Sequence, residues 1–297
     1  MRRLALTTTA IALFAALVAP PANARDRKIS GDTTATNVTA FGQGLAWSRT
    51  PAGADPRLVL RAFGPPSDLS VAPAGSGLFD PDLGSDGHGD IVAVYTRCAG
   101  LSGRNCDIYE FNLMTKTERK LPGGSSSACS EFAPSVWDGT VAFGRSGPGK
   151  CPGLYVKAQR GHALRLDRRI PAETDIRAGR VAYLHTKGTN TYVRLFTIRE
   201  GSSRLIATGI GHGRNRQHLS NPTLSGPFLY FLLEDVRGHD FDIGRTRSRT
   251  RSPVRFTGRS FHGRVESIAV DGTTLYYTNR RGVYQATDPL PRFAAGD

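Results

Sequence analysis

The feature that most constrains the fold is a short motif that recurs about every 45 residues. Each copy begins at a glycine and runs through a few mostly apolar residues to an aromatic side chain. The six copies occupy residues 44–47, 89–95, 139–143, 179–183, 226–230 and 272–277. A repeat of this length indicates units that pack on their neighbours, because one unit cannot bury its apolar surface alone.

Two further short apolar segments follow the motif in most units. The first set comprises residues 107–111, 153–156, 193–198 and 282–284. The second set comprises residues 118–121, 163–166, 203–206 and 253–256. Short strands separated by turn residues, without helical periodicity, are typical of antiparallel sheets. We therefore expect an all-β, six-bladed β-propeller of four-stranded antiparallel blades that stack around an axis.

Three units carry an Asp-Gly pair close to the motif: Asp86-Gly87, Asp138-Gly139 and Asp271-Gly272. Both residue types tolerate the positive φ that a two-residue hairpin turn requires. These pairs are therefore predicted to join the innermost strand of a blade to the second strand. The aromatic residue that ends the second strand is predicted to fill the space between neighbouring blades.

The sixth unit is shorter than the others. Only ten residues follow Thr287, and two of them are proline, so this unit lacks an outer strand. Residues 27–30, ahead of the first unit, offer the missing strand. Their pairing with the last unit would close the ring with strands from both ends of the chain.

The first 24 residues follow the three-part plan of a secretory signal peptide. Two arginines near the start precede an unbroken apolar run over residues 10–19 and an A-x-A cleavage site at residues 22–24. This run is too short for a membrane-spanning helix, which needs about 20 residues. We expect a signal peptide over residues 1–24, a single propeller domain over residues 25–297, no transmembrane anchor, and a secreted or periplasmic location.

The chain has four cysteines: Cys98, Cys106, Cys129 and Cys151. An even number in an exported chain favours disulfides. Because antiparallel strands alternate in direction, the loops after second strands and the loops between blades share one rim. All four thiols are expected on that rim, and this placement favours the pairs Cys98–Cys106 and Cys129–Cys151. A zinc site is the alternative, but the chain has no C-x-x-C pair and no histidine at ligand spacing.

The second unit resembles the repeat of the TolB-like six-bladed β-propeller family. That repeat combines a Pro-x-aromatic-Ser-Pro-Asp-Gly turn, an apolar strand and an Asp-Ile-Tyr triplet, which residues 81–87, 91–95 and 107–109 resemble in that order. The third unit has a similar turn at Trp137-Asp138-Gly139. The resemblance covers nearly all of residues 37–287. It implies a propeller that serves as a platform for binding a protein or ligand, and no particular activity.

Two loops on the cysteine-bearing rim carry candidate ligand-binding residues. The longest connection between blades, residues 209–219, is rich in glycine, histidine and arginine, and residues 234–240 are expected beside it. Binding residues often lie on loops that a rigid scaffold holds. The residues expected to bind an anionic or acidic ligand are His212, Arg214, Arg216, His218, Arg237 and His239. The alternative is a solvated glycine-rich loop with incidental charge.

A second basic feature is a run in which arginine alternates with serine or threonine: Arg245, Arg247, Arg249 and Arg251. In an extended strand these side chains would lie on one side and form a basic patch for a polyanion. The alternative is an edge strand that its charges keep unpaired. No aromatic residue interleaves with the arginines, so nucleic acid is not expected as a partner. The formal net charge of +14 rests on 33 Arg and 6 Lys, a skew that GC-rich codon usage also produces.

The sequence contains no catalytic or metal-binding motif that we recognise. Asp80, Asp82, Asp86 and Asp90 do not form an EF-hand calcium loop, because Gly84 stands at position five and the glutamate at position twelve is absent. No G-x-S-x-G, H-E-x-x-H or phosphate-binding loop occurs. No catalytic residue, metal ion or cofactor is therefore predicted.

These observations favour a secreted, monomeric binding module for a protein or an anionic ligand. The alternative is a lyase or lactonase-type enzyme at the mouth of the central channel, with or without a metal ion. A buried cluster of histidine and carboxylate in the channel would favour the enzyme. A periplasmic or wall-associated structural adaptor is the third interpretation.

Overall fold

A computed structural model of the chain contains six four-stranded antiparallel sheets around a central channel. It describes residues 26–62, 65–69, 71, 77–99, 105–124, 126, 128–211, 216–235, 240–250, 253–257, 261 and 263–286. Within these residues every regular element is a β-strand. The predicted six-bladed β-propeller is confirmed. Blades are numbered I to VI in the chain order of their innermost strands.

The first strand of the chain, β1 (Arg27–Ser30), belongs to blade VI. Blade I contains β2 (Thr36–Phe41), β3 (Gly44–Arg49), β4 (Arg57–Arg61) and β5 (Ser67–Asp68). Blade II contains β6 (Asp82–Ser85), β7 (Ile91–Cys98), β8 (Cys106–Asn112) and β9 (Thr117–Lys120). Blade III contains β10 (Ser130–Trp137), β11 (Thr140–Ser146), β12 (Gly153–Lys157) and β13 (Leu164–Asp167).

The remaining blades follow the same order from the channel outwards. Blade IV contains β14 (Glu173–Arg177), β15 (Arg180–Lys187), β16 (Asn190–Thr197) and β17 (Ser202–Gly209). Blade V contains β18 (Gln217–Ser225), β19 (Phe228–Asp235), β20 (Asp240–Arg247) and β21 (Arg255–Phe256). Blade VI contains β22 (Val265–Asp271), β23 (Thr274–Asn279), β24 (Gly282–Gln285) and, outermost, β1.

Asp138-Gly139 forms the two-residue turn that the sequence predicts. β10 ends at Trp137 and β11 begins at Thr140, so two residues make the connection. Both have positive φ, 48° for Asp138 and 69° for Gly139. Asp and Gly tolerate this conformation best, and it matches the twist of the flanking strands.

The other two Asp-Gly pairs differ from the prediction. Asp86-Gly87 lies in a longer loop, residues 86–90, because β6 ends at Ser85 and β7 begins only at Ile91. Asp271 is still part of β22, so the turn of blade VI consists of residues 272–273. The sequence pattern places the turns within a few residues and does not fix their length.

Large aromatic side chains fill the spaces between blades, as predicted. Five of the six predicted residues are fully buried against the preceding blade: Trp47, Tyr95, Phe143, Tyr183 and Tyr277. In blade V the equivalent residue is Phe231, which packs against blade IV, whereas the predicted Tyr230 packs against blade VI. Successive side chains of a strand point to opposite faces, so a shift of one residue exchanges the neighbours.

The N-terminal strand closes the ring, as predicted. β1 pairs antiparallel with β24, with Arg27 opposite Gln285 and Lys28 opposite Tyr284. The Tyr277 hydroxyl also donates a hydrogen bond to Asp26 Oδ2 at 2.7 Å. Blade VI therefore contains strands from both ends of the described chain.

Loops of the propeller lie on two rims. The hairpin rim carries the loops after the first and third strands of each blade, and the interblade rim carries the loops after the second strands and between blades. The predicted disulfides are confirmed, Cys98–Cys106 at the ends of β7 and β8, and Cys129–Cys151 between two loops of blade III. Both lie on the interblade rim. The described part of the chain contains no helix that could span a bilayer.

Candidate functional site

All six blades contribute to the central channel, which encloses a cavity of about 330 Å³. Its wall consists of the innermost strands β2, β6, β10, β14, β18 and β22 and of residues just before them. A cavity of this volume is within the range of small-ligand sites. The chemistry of the channel therefore depends on a few positions in each innermost strand.

Two carboxylates of blade II bind the backbone of blade III across the channel wall. Asp80 Oδ2 accepts the N–H of Ala133 at 2.8 Å, and Asp82 Oδ2 accepts the N–H of Val136 at 2.8 Å. The hydroxyl of Thr39, in blade I, donates to Asp82 Oδ1 at 2.7 Å. We call a bond from a channel side chain to a backbone N–H of the next blade an interblade latch.

Blade IV repeats the two latches of blade II. The N–H of Asn221 donates to Glu173 Oε2, and the N–H of Leu224 donates to Asp175 Oδ2. In both blades the two acidic residues are two positions apart, so both side chains lie on the same side of the strand. The junction between blades II and III and the junction between blades IV and V therefore contain the same pair of hydrogen bonds.

The junction between blades VI and I has a neutral version of the latch. Ser267 Oγ accepts the N–H of Val38 at 3.0 Å. Ala269 stands two residues later, where blades II and IV have the second carboxylate. The four carboxylates of the described channel wall therefore come from two blades only.

A bulge in the receiving strand presents these N–H groups. β2, β10 and β18 each have a register shift, and each contains a residue with φ between 48° and 51°: Asn37, Ala133 and Asn221. A bulge turns one backbone N–H out of the ladder of its own sheet. The N–H groups of Ala133 and Asn221 are two of those bound by the preceding blade.

Burial raises the pKa of all four channel carboxyls. The pKa of Asp82 rises to about 6 and that of Glu173 to about 7. The pKa of Asp175 lies well above its usual range, because burial and the nearby charge of Asp82 both disfavour ionisation. Burial also raises the pKa of Asp80, although hydrogen bonds from Thr96 and Ala133 oppose this shift. A positive group in the channel would favour the ionised forms.

One buried acceptor in the channel wall lacks a donor among the described residues. Asn221 Oδ1 is buried and accepts no hydrogen bond. The neighbouring Glu173 binds the Asn221 N–H through Oε2. A buried acceptor without a donor costs about 1–3 kcal/mol. A donor placed in the channel would therefore be stabilised at this point.

Aromatic and cationic side chains form the mouth of the channel on the hairpin rim. Phe41, Trp137 and Arg177 are the last residues of the innermost strands of blades I, III and IV. The Arg177 guanidinium carbon lies 4.2 Å from the centre of the Trp137 ring. Phe41 meets the same indole edge to face, with ring centres 5.9 Å apart. The mouth thus offers a flat apolar surface beside a cation.

Only part of the predicted anion-binding rim lies within the described residues. His212, Arg214, Arg237 and His239 lie outside them. Arg216 and His218 are exposed at the start of blade V and border a cavity of about 350 Å³ with Glu234 and Arg264. Arg264 Nη2 is 3.6 Å from Glu234 Oε1, so both signs of charge meet there.

The predicted row of four arginines does not lie on a single strand. Arg245 and Arg247 belong to β20, Arg249 lies in the bend after it, and Arg251 lies outside the described residues. Arg245 is buried, with its guanidinium carbon 5.7 Å from the centre of the Phe228 ring. Arg249 is exposed on the hairpin rim.

The acidic residues of blade II separate into two groups. Asp86 Oδ1 accepts the N–H groups of His88 and Asp90 at 2.8 and 3.2 Å, so it shapes a turn. Asp80 and Asp82 instead face the channel, a role that the sequence did not reveal. The available signal was the D-x-D of blade II, which recurs as E-x-D in blade IV. No described group of three or more His, Cys, Asp or Glu residues is arranged to hold a metal ion.

Several solved structures share this fold. TolB from Acinetobacter baumannii aligns over 84% of this chain and 65% of its own, with a TM-score of 0.55 and 14% identity. A chain of the nidogen/laminin complex aligns over 82% of this chain and 84% of its own, with a TM-score of 0.53 and 12% identity. A puromycin-hydrolysing peptidase of Mycobacterium tuberculosis aligns over 90% of this chain and 55% of its own, with a TM-score of 0.50 and 11% identity.

These alignments relate the chain to its neighbours at the level of the fold. The chain spans less than two thirds of the length of TolB and of the peptidase. No family model matches the chain, and no curated protein matches it in sequence. At 11–14% identity the likeness shows a β-propeller fold shared with proteins of different functions.

Proposed function

We propose that this chain is an exported binding module and that its ligand lies in the central channel. The observation that carries the proposal is the buried Asn221 Oδ1, which accepts no hydrogen bond, beside the carboxyl of Glu173 in the channel wall. They lie in a cavity lined by all six blades, and interblade latches fix their positions. A rigid cavity with a few convergent polar groups is typical of a ligand site.

The channel suits a ligand with an amine or another hydrogen-bond donor at its inner end. The carboxyls of Asp82, Glu173 and Asp175 would accept hydrogen bonds from such a group, and its positive charge would favour their ionised forms. At the outer end, Trp137 and Phe41 offer a surface for apolar contact. A small molecule with a free amine has this chemistry, and so does a lysine side chain of a protein partner.

An anionic ligand does not suit the channel, because the carboxylates would repel it. The rim residues predicted for such a ligand remain a separate proposal. Among them, Arg216 and His218 border a cavity, but Glu234 shares it. The mixed charge there makes the rim a weaker candidate than the channel.

An enzyme that uses the channel carboxyls for acid–base catalysis is the second candidate. It is favoured by the raised pKa values of Asp82, about 6, and Glu173, about 7, because a carboxyl titrating near neutrality can exchange protons. Binding is preferred because both carboxyls already accept backbone N–H groups of the next blade. Turnover of a lactone panel that Glu173→Gln abolishes would support the enzyme.

Export, with removal of residues 1–24, is part of the proposal. The two disulfides support it, since disulfides persist in oxidising compartments. β1 begins at Arg27, so cleavage after Ala24 would leave the closing strand intact. We also propose that the module is a monomer. The intact mass of protein exported by its host, and its mass in solution by light scattering, test both statements.

Tryptophan fluorescence can test the channel as the ligand site. The chain has two tryptophans. Trp47 is fully buried between blades and Trp137 lies at the channel mouth. We expect 1,4-diaminobutane to change the emission saturably, whereas 1,4-butanediol binds weakly and succinate does not bind.

Two variants complete this test. Trp137→Phe should abolish the response and leave the emission of Trp47 constant. Glu173→Gln keeps an oxygen for the Asn221 N–H and should weaken diamine binding several-fold, with less dependence on pH between 5 and 8. Equal binding of succinate and the diamine, or an unchanged affinity in Glu173→Gln, would refute the proposal.

A further inference from the structure

On the hairpin rim, cationic side chains of blade IV reach a single peptide segment of blade V. Arg180 Nη1 donates a hydrogen bond to Ser248 Oγ at 2.8 Å. Arg204 Nη2 lies 3.1 Å from the carbonyl oxygen of Arg247 and 3.3 Å from that of Ser248. The next residue is Arg249, which is exposed. Two arginines of blade IV thus contact the segment just beyond the end of β20, and Arg249 follows that segment directly.

Arg180 lies in an unusual environment for a charged side chain. It is 7% exposed. Neither Arg180 nor Arg249 makes an ion pair with a carboxylate of the described chain. Burial lowers the pKa of Arg180, and the positive charges of Arg249 and Arg204 lower it further. A buried cation beside like charges is unfavourable unless an anion approaches it.

Two other arginines with largely buried side chains pair with carboxylates. Arg145 Nε lies 2.9 Å from Glu131 Oε1, and Arg97 Nη1 lies 2.9 Å from both oxygens of Glu118. An excess of arginine from codon usage alone would be expected to accumulate on exposed surfaces, where charge is tolerated. The burial of Arg180 without a carboxylate therefore calls for a different explanation.

We infer that Arg180, Arg204 and Arg249 form a binding site for a phosphate group on the hairpin rim between blades IV and V. Guanidinium groups bind phosphate oxygens through paired N–H donors. Arginine is therefore common in the phosphate-binding sites of proteins. Ser248 is a positioning residue. Its hydroxyl accepts from Arg180 and donates to the carbonyl of Pro227 at 2.9 Å, so it orients the Arg180 guanidinium. The site is separate from the channel and takes a ligand of opposite charge.

Calorimetric titration with inorganic phosphate at constant ionic strength tests the inference on the whole protein. The key variant is Arg249→Ala, because Arg249 is exposed and its loss should not affect folding. We expect it to weaken phosphate binding about tenfold, as expected for one charge-assisted contact. Arg160→Ala removes the same charge from an exposed position on the hairpin rim of blade III and should change the affinity less than twofold.

The affinity of Ser248→Ala for phosphate provides a second test of the site. It leaves all three guanidiniums in place and should weaken binding about threefold, because Arg180 loses the hydrogen bond that orients it. Ser248→Thr keeps a hydroxyl and should restore most of the affinity. Equal affinities in Arg249→Ala and Arg160→Ala, or heats that sodium chloride reproduces at the same ionic strength, would overturn the inference.

Vesicles distinguish the source of the phosphate group. Co-sedimentation with phosphatidylglycerol vesicles that Arg249→Ala abolishes, together with phosphate binding, assigns the site to a lipid headgroup. Phosphate binding without co-sedimentation assigns it to a soluble phosphate. Binding to vesicles that Arg249→Ala does not weaken would contradict the inference. The diamine titration monitors the fluorescence of Trp137 at the channel mouth and does not depend on the phosphate site. The channel proposal and the phosphate proposal can therefore fail independently.

Discussion

The junction between blades II and III and the junction between blades IV and V share paired carboxylate latches but differ in their surroundings. Beside the first, Arg145 pairs with Glu131 at 2.9 Å and a disulfide joins Cys129 to Cys151. At the second there is no disulfide, since all four cysteines are used elsewhere. Arg180 is buried there without a carboxylate among the described residues.

The difference shows which features hold the ring together and which are additional. Both junctions keep the latches, so these hydrogen bonds serve the closed ring itself. The Cys129–Cys151 disulfide and the Arg145–Glu131 pair stabilise only the junction between blades II and III. At the junction between blades IV and V, the buried Arg180 has no carboxylate partner among the described residues, and a buried charge of this kind lowers stability unless an anion binds. We therefore expect the junction between blades II and III to contribute more to stability than the junction at which the phosphate site is proposed.

The largest expected effect comes from substituting one arginine at each junction. Arg145→Met should lower the free energy of unfolding by about 4 kcal/mol, because Glu131 would stay buried without its partner. Arg180→Met should change it by less than about 1 kcal/mol, since it removes a charge that has no carboxylate partner. Chemical denaturation followed by circular dichroism measures both. Similar losses in the two variants would contradict the contrast between the junctions.

Removal of the disulfides should produce the next largest effect. The double variant Cys129→Ser/Cys151→Ser should lose about 3 kcal/mol, because that bond closes the longer loop and restricts the unfolded chain more. Cys98→Ser/Cys106→Ser should lose about 2 kcal/mol, since its residues are only 8 positions apart. Denaturation of the two variants without reductant makes the comparison. A larger loss from the shorter loop would disprove it.

The dependence of stability on pH sharpens the comparison further. Burial raises the pKa of both Glu131 and Glu173 from 4.5 to about 7. The folded state therefore holds more protons than the unfolded state between these values, and stability falls as pH rises from about 4.5 to 7.5. Each group should contribute about 3 kcal/mol to that fall.

Glutamine variants separate the two contributions. Glu173→Gln should flatten the decline while keeping most of the stability at pH 5. Glu131→Gln should also flatten it, because it removes the second group whose pKa rises on folding. Thermal melts from pH 4.5 to 8 provide the measurement. A stability of wild-type protein that rises across this range would show that other groups dominate.

The smallest expected effect concerns the neutral latch. Ser267→Ala removes the acceptor of the Val38 N–H and should lower stability by about 1 kcal/mol. Ser202→Ala, at an exposed strand position, should change it by less than about 0.5 kcal/mol. If the two variants melt at the same temperature, the latch between blades VI and I contributes nothing measurable.

Features that depend on local chemistry could be predicted from the sequence. The glycine-to-aromatic motif identified six blades, because each blade repeats the same strand, turn and buried side chain. The disulfide pairs followed from strand direction, and the closing strand followed from the missing outer strand of the sixth unit. The shift from Tyr230 to Phe231 shows the limit. The turn of blade V is Gly226-Pro227, and a register error of one residue reverses the facing of a strand.

The channel chemistry could not be predicted in the same way. Asp80 and Asp82 lie near the turn residue Asp86 in sequence, and all three were interpreted together. Their partner Asp175 lies in another blade and comes close only because the ring brings every innermost strand to one axis. Such proximity depends on the curvature of the whole ring, for which a single repeat contains no information.

The closing strand also determines the order in which the molecule can be completed. Tyr277 and Asp26 are 251 positions apart, and β1 has no partner other than β24. Among the described strands β1 is synthesised first and its partner β24 last, so β1 stays unpaired until then. A truncated chain would leave β1 and the inner strands of blade VI unpaired and expose their edges to proteases and to other chains. The pairing of β1 with β24 therefore completes blade VI only after both strands have been synthesised.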